Sequence, residues 1–366
     1  MIMNSNILPE LENMDYIFDL QSNYSITFCP VEAVNELVEF IDTHWRKNHI
    51  FVISRELLNW QHLNELNNRY NFVIARENNT KQIHSILGFV PTSQFDHTLI
   101  SAHEHIWPCI WKVREDVKAV GLGISLYYYL VNQLHVETLS ILGSSRVALS
   151  IYKKWNFTTG KIAHHFMLNS TVKEFKLVGN YLSFQQELSV FNDNICSFDL
   201  CSLEQFLSLG EDVFGHVSKY KSKNYYINRF YKHPLYSYTA YSIKKNKVIK
   251  AVFFIRECIA NTRKALRIVD FVGNIFYLIG NARNFQSLMV NLSAEYIDFI
   301  NVGLSERVLE ESGFTNKSET DLVISNYFEP YVSENIELDY AFKSVDTNQK
   351  VIFFKADADQ DRPNLL

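Results

Sequence analysis

Apolar residues near the start of this chain recur every three or four positions. Val34, Leu37, Ile41 and Trp45 would share one face of a helix. The pattern then turns strand-like: NFVIA (71–75) and IHSILGFV (83–90) flank the polar stretch ENNTKQ and predict a hairpin. CIWKV (109–113) predicts a further strand, leading through a glycine-containing loop into a helix with Tyr127, Leu130, Val131 and Leu134 on one face. A strand (ETLSIL), a short helix to Trp155 and the phrase NFTTG follow.

The second half repeats this order. SYTAYSI, KKNK and VIKAVFFI make a second hairpin, and LEESGFTNK places Phe314-Thr315 against its helix as Phe157-Thr158 stand to the earlier one. Both matches lie about 160 residues apart, as an ancient duplication would leave them. The polar patch FNDNICSFDLCS (191–202) is the expected boundary, and all five tryptophans precede it. The expected fold class is α/β (α+β), in two tandem domains at 1–190 and 191–366, each a mixed twisted sheet flanked by helices.

Composition narrows the class. The 366 residues are 47% hydrophobic and 20% charged, enough for a proper core. The formal net charge of −5 argues against a general nucleic-acid binder. Five cysteines without a CxxC pair read as reduced thiols rather than a disulfide framework or zinc site, and no metal is expected. No Lys or Arg occurs before Arg46, unlike a secretory signal, and Ala119 to Val131 falls short of the ~20 residues of a membrane span. A cytoplasmic protein is expected, with no membrane or nucleic-acid partner.

The sharpest chemistry lies in VREDVKAVGLGISLY (113–127). A strand ends near Val113, and a loop with Gly121 and Gly123 opens into a helix. Backbone N–H groups at a helix N-terminus, approached closely where Cβ is missing, suit a pyrophosphate, and Lys118 can add charge. A glycine pair before a helix is also a common ligand-free turn. Its context is more specific, because Val113, Lys118, Gly121 and Gly123 are followed by a strand and then by Ser145, Ala148, Tyr152 and Phe157.

That spacing resembles the acyl-CoA signature of the GNAT acetyltransferase superfamily. Lys118 stands for the usual Arg or Gln, Ser145 for Asn, and Asn156 for the glycine before Phe. The resemblance implies two GNAT-like domains, with coenzyme A thioester as co-substrate on Trp111, Lys112, Val113, Lys118, Ala119, Val120, Gly121, Leu122, Gly123, Ile124, Ser125 and Ser145. It also implies an oxyanion bound by backbone N–H groups near Trp111 to Val113, and Tyr152 as proton donor to the departing thiolate. The second half fails this test: Leu309 falls where Tyr152 stands, and VGNIFYLIGNARNF carries no such loop. One thioester site is expected, with the second, degenerate domain shaping the acceptor cleft.

The phrases HWRKNH, NWQH, LGFVPTSQFD, WPCIWKVRED and KADADQDRPN look like two-domain GNAT N-acyltransferases of bacterial surface-polysaccharide pathways. These acylate nucleotide-linked amino sugars, for example 3-hydroxybutanoyl-CoA onto dTDP-3-amino-3,6-dideoxygalactose. Such an acceptor wants cations, a stacking surface and sugar-binding polar groups. Arg46, His49, Trp107, Arg229, Asp359, Asp361, Arg362 and Asn364 are the candidates, each with a structural alternative as a solvated charge or packed ring. For a base, His103-Glu104-His105 precede the Trp107–Val113 strand; His105 is a candidate there, with Asp357 or Asp359 from the other side, but an amine can lose its proton to water and no single essential base is expected. A tRNA-dependent aminoacyl transferase of cell-wall precursors and a non-catalytic acyl-CoA-binding module are the alternatives.

Overall fold

The computed structural model describes residues 7, 20, 22–96, 104–181, 196–348 and 350–363. Its main strands are β1 (Tyr24–Pro30), β2 (Arg69–Glu77), β3 (Ile83–Pro91), β4 (Glu104–Val113), β5 (Val136–Leu142), β6 (Thr158–Lys161) and β7 (Ala163–Leu168). They continue as β8 (Cys196–Leu200), β9 (Tyr238–Lys245), β10 (Val248–Ala260), β11 (Arg263–Gly273), β12 (Tyr296–Val302), β13 (Asp339–Ser344) and β14 (Phe353–Phe354). The main helices are α1 (Val34–Phe40), α2 (Arg55–His62), α3 (Leu122–Gln133), α4 (Arg146–Lys154), α5 (Ala282–Asn291) and α6 (Glu306–Glu311).

Two compact units result. The first is Met1–Gly160 with Asp339–Gln349 and Pro363–Leu366; the second is Lys161–Leu338 with Lys350–Arg362. The division therefore falls thirty residues before the expected boundary, and 191–195 of the expected linker lie outside the described residues. Each unit also contains a segment from the other half of the sequence.

The first sheet runs β1-β2-β3-β4-β5-β13-β6, and the second β8-β9-β10-β11-β12-β7 followed by Thr315–Asn316. Among the described residues each sheet holds a parallel pair, β4 with β5 and β11 with β12, within otherwise mostly antiparallel neighbours. In each, the strand beyond that pair comes from the other half: β13 pairs antiparallel with β5, and β7 with β12. Period-two patterning specifies which face a strand buries but not which partner it takes, so this exchange has no local signature.

Both expected hairpins form, as β2–β3 and β9–β10. Both are buried on two faces along most of their length, which explains their unbroken apolar runs. The helix expected through Trp45 is α-helical only to Phe40 and passes into a π turn at Ile41–Trp45; the second unit has a matching π turn at Ile227–Tyr231. One core packs α3 and α4 on the first sheet, around Leu126, Leu130, Val73 and Leu87, and another packs α5 on the second, around Phe285, Phe253 and Phe299.

Candidate active site

The parallel pairing of β4 with β5 is short. It joins Glu104 to Val136, His105 to Thr138 and Ile106 to Leu139, then stops, while β4 continues to Val113 and β5 to Leu142. A bulge in β4 accounts for the divergence. Leu87 of β3 faces Trp111 but Phe89 faces Pro108, so Gly88 stands opposite both Cys109 and Ile110. A Cβ on Gly88 would lie 2.7 Å from Cε1 of Phe72 and 3.0 Å from Sγ of Cys109, so only glycine fits the bulge. Pro108, which has no N–H to donate, is tolerated beside it. Among the described residues no strand enters the gap between the two edges.

The glycine loop follows β4 at the unpaired end of this gap. Arg114 pairs with Asp116 at 2.5 Å and Lys112 with Glu115 at 2.9 Å, fixing the turn after β4. Gly121, at φ +81°, begins α3 without a side-chain cap, and in the first turn Leu122 N reaches Ala119 O at 3.3 Å. The remaining N–H groups of that turn point out of the helix end with the positive end of its dipole. Lys118 and Val120 are exposed beside them. Leu122 and Ser125 are buried, and the Ser125 hydroxyl donates to Gly121 O at 3.1 Å, so both serve the loop through packing and backbone. Ala119 and Ile124 are half-buried.

Gly123 lets α3 settle on β4. Its Cβ would meet Nε1 of Trp111 at 3.1 Å and Cγ2 of Val113 at 3.2 Å, and the Trp111 indole donates to Gly123 O at 3.1 Å. Trp111 lies among Tyr127, Tyr152 and Trp155, with ring centroids 6.2–6.4 Å away.

Tyr152 on α4 is 2% exposed, 5.0 Å from the ring of Phe157. Burial, and secondarily the neighbouring Cys109, push its hydroxyl well above the ordinary tyrosine value, so it is a protonated donor at physiological pH. Ser145 caps α4, its Oγ accepting from Ala148 N at 3.2 Å. Asn156 has φ +57°, the left-handed conformation that asparagine tolerates best after glycine, and Gly313 takes φ +90° before Phe314 in the second unit. The departure from the expected glycine is therefore conformationally neutral.

Several candidates are occupied in structural roles. His105 lies in the paired part of β4, Nε2 2.8 Å from the Ser140 hydroxyl and its ring 4.3 Å from Trp107, which is itself buried. His49 is buried, and its Nδ1 accepts from Phe51 N at 3.2 Å as a helix cap. Arg46 alone of that group is exposed. His103 and Asn364 lie outside the described residues.

The C-terminal acidic cluster is neither frayed nor a solvent-facing base. Asp357 is 0% exposed, with Oδ1 2.7 Å from Lys221 Nζ and Oδ2 accepting from Phe354 N at 2.8 Å. Asp361 is buried against Arg256 Nε (3.0 Å) and the Tyr238 hydroxyl (2.8 Å). Burial alone would raise its pKa; Arg256 and the Tyr238 hydrogen bond bring it below the usual carboxylate value. Arg229 is buried and donates to Ala356 O at 2.9 Å. Asp359 and Arg362 pair at 3.0 Å and stay slightly exposed.

Sequence reasoning missed the buried ionic network of the second unit. Lys221 sits 2.7 Å from Asp270 as well as Asp357, and Arg267 grips Asp298 at 2.7 Å with His164 3.0 Å away. The available signal is a charge inside an apolar strand, as in RIVDFV and VFFIREC. Glu306, Glu310 and Glu319 also bring carboxylate oxygens within 4.8 Å of one another, with Glu306 2.8 Å from His165.

No protein-family model matches the sequence, and no curated protein matches it. Solved structures do match by shape. A GCN5-related N-acetyltransferase from Anabaena variabilis aligns with TM-score 0.54 and 9% identity, over 88% of this chain and 73% of its own. A probable N-acyltransferase of unknown function from Enterococcus faecalis aligns with TM-score 0.53 and 10% identity, over the same shares. Over most of its length, this chain has the fold of the GCN5-related N-acetyltransferases, with two mixed sheets flanked by helices.

Proposed function

We propose that the chain is an acyl-CoA-dependent N-acyltransferase that takes its thioester in the β4–β5 gap of the first unit. One observation carries this reading: the pairing of β4 and β5 breaks where a glycine-opened, uncapped helix N-terminus and a buried protonated tyrosine border the same strand. Each part suits one portion of the co-substrate. The first turn of α3, with Lys118, suits the pyrophosphate. The unpaired edge of β4 suits the amides of the pantetheine arm and the carbonyl oxygen of the thioester.

The acceptor amine attacks the thioester carbon directly. The C–S bond breaks, the thiolate takes the Tyr152 proton, and water takes the proton lost from nitrogen. No fixed base is assigned, since His105 and Asp357 are both buried in other bonds. The resemblance of several sequence phrases to polysaccharide-pathway enzymes favours a nucleotide-linked amino sugar as acceptor, with a short acyl group such as acetyl or 3-hydroxybutanoyl. Among the described residues no helix is long and apolar enough to cross a membrane.

The test is a thiol-release screen of the purified chain with a panel of acyl-CoAs against dTDP-, UDP- and GDP-linked amino sugars. Turnover with one pair supports the reading. CoA binding without release under every pair transfers support to a binding module, and absence of CoA binding removes the reading.

A further inference from the structure

The second unit repeats the interrupted pairing of the first. β11 and β12 pair in parallel from Ala265–Tyr296 to Ile268–Phe299, after which β11 runs on to Gly273 and β12 to Val302. In this unit the gap is filled. Phe353 and Phe354 pair antiparallel with Val302 and Asn301 on the β12 edge. Two residues later Ala356 N donates to Val269 O on the β11 edge at 3.0 Å. One stretch of chain thus bridges both edges, placing peptide amides where an amide-bearing pantetheine arm would lie in an open gap.

The segment is held at three levels. Phe354 is buried and stacks on Phe299 at 5.4 Å, with its ring 5.2 Å below Lys221 Nζ. Lys221 then clamps Asp357 from the segment to Asp270 on β11, 2.7 Å from each carboxylate. Burial opposes the ammonium charge, but the two carboxylates outweigh it and hold the Lys221 pKa well above the usual lysine value. Beyond the gap, Asp361 is tied to Arg256 and Tyr238. The entrance is shaped for the segment too: Gly303, at φ +84°, leaves room for the Val351 carbonyl that any Cβ there would strike.

We infer that residues 351–361 are a built-in occupant of the second unit's gap, a strap locked by Lys221 that closes this groove to any thioester. The inference goes beyond the first unit's activity and rests on the second unit's geometry alone. It gives a physical basis for a single thioester per chain: the second groove has lost its glycine loop and is also filled by peptide.

The test is amide hydrogen exchange on the full chain with and without CoA, combined with calorimetric stoichiometry. Amides 353–357 are expected to exchange about 100-fold more slowly than exposed loops. That protection should not change when CoA is added, and no more than one CoA should bind. Lys221→Met should speed exchange of 353–357 about tenfold while leaving β10 protected, and Lys221→Arg should restore part of the protection. Rapid exchange at 353–357 in the wild type, protection that falls on adding CoA, or two CoA per chain would each overturn the strap. The wild-type measurement decides even where Lys221→Met does not fold. Slow exchange in a chain that binds no CoA upholds the strap and removes only the thioester reading of the first unit.

Discussion

Trp111 and Gly123 are joined by a hydrogen bond from the indole N–H of the strand to the carbonyl of the helix's first turn, 3.1 Å long. The contact fixes the end of α3 directly over β4, and it exists because Gly123 has no Cβ to hold the two apart. The loop proposed to receive a pyrophosphate is therefore positioned by packing beneath it as much as by its own turn.

Gly123→Val puts a branched side chain against Trp111 and Val113. Overpacking of this kind costs about 1–3 kcal/mol, to be seen as a lower Tm. Lifting the helix end from the strand should also weaken CoA binding about tenfold, roughly 1.4 kcal/mol by calorimetry. Gly121→Ala acts differently, costing about 1–2 kcal/mol through its left-handed backbone. A destabilised Gly123→Val chain with unchanged CoA affinity would detach this glycine from the ligand.

Tyr152→Phe keeps the ring among Trp111, Trp155 and Phe157 and removes only the hydroxyl. The expected result is a fall in kcat of about 100-fold or more, with CoA affinity nearly unchanged. Because burial, and then Cys109, raise the Tyr152 pKa, the donor stays protonated as pH rises. The wild-type rate should show no descending limb from this group between pH 7 and about 9. Equal losses of turnover and affinity in the variant would remove the proton-donor role.

What could be read in advance was what local spacing carries. The two hairpins, the glycine loop ahead of α3 and the Tyr152–Phe157 spacing are each set within about two dozen contiguous residues, where periodicity and turn chemistry act. Ser145 and His49 looked like ligand contacts because a polar side chain at a helix start is the same residue type whether it binds substrate or caps the helix. Asp357 as a candidate base and Asp361 as a sugar-binding candidate carry no local sign of their burial, because their cations, Lys221 and Arg256, lie more than a hundred residues away in sequence. The exchange of β7 and β13 was invisible for the same reason: strand partners are a tertiary choice.

Acid should destabilise the second unit through His164. Burial holds its pKa down at about 4, against 6.5 for a free histidine, even though Asp298 beside it pulls the value up. The folded state thus binds fewer protons than the unfolded one, so the stabilising contribution is complete above pH 6.5 and is lost as pH falls toward 4. A shift of this size corresponds to about 3 kcal/mol. Denaturant melts from pH 7.5 to 4 should show that decline, and His164→Gln should flatten much of it while lowering stability at neutral pH. An equally steep pH dependence in the variant would assign the decline to other groups.

Cutting the chain between residues 190 and 191 separates strands that share a sheet. Five residues of β13, Tyr340 to Ser344, pair with β5, Ala341 is buried in the first core, and the Thr138 hydroxyl donates to Ser344 Oγ at 2.9 Å. A fragment of residues 1–190 lacks this strand and exposes the buried face of β5 as an unsatisfied edge. It should show no cooperative melt and should aggregate. Residues 1–160 with Asp339–Gln349 joined through a flexible linker regain the missing partner, and should melt sharply. A sharp melt for the 1–190 fragment would mean that β13 covers the first sheet without being needed to form it.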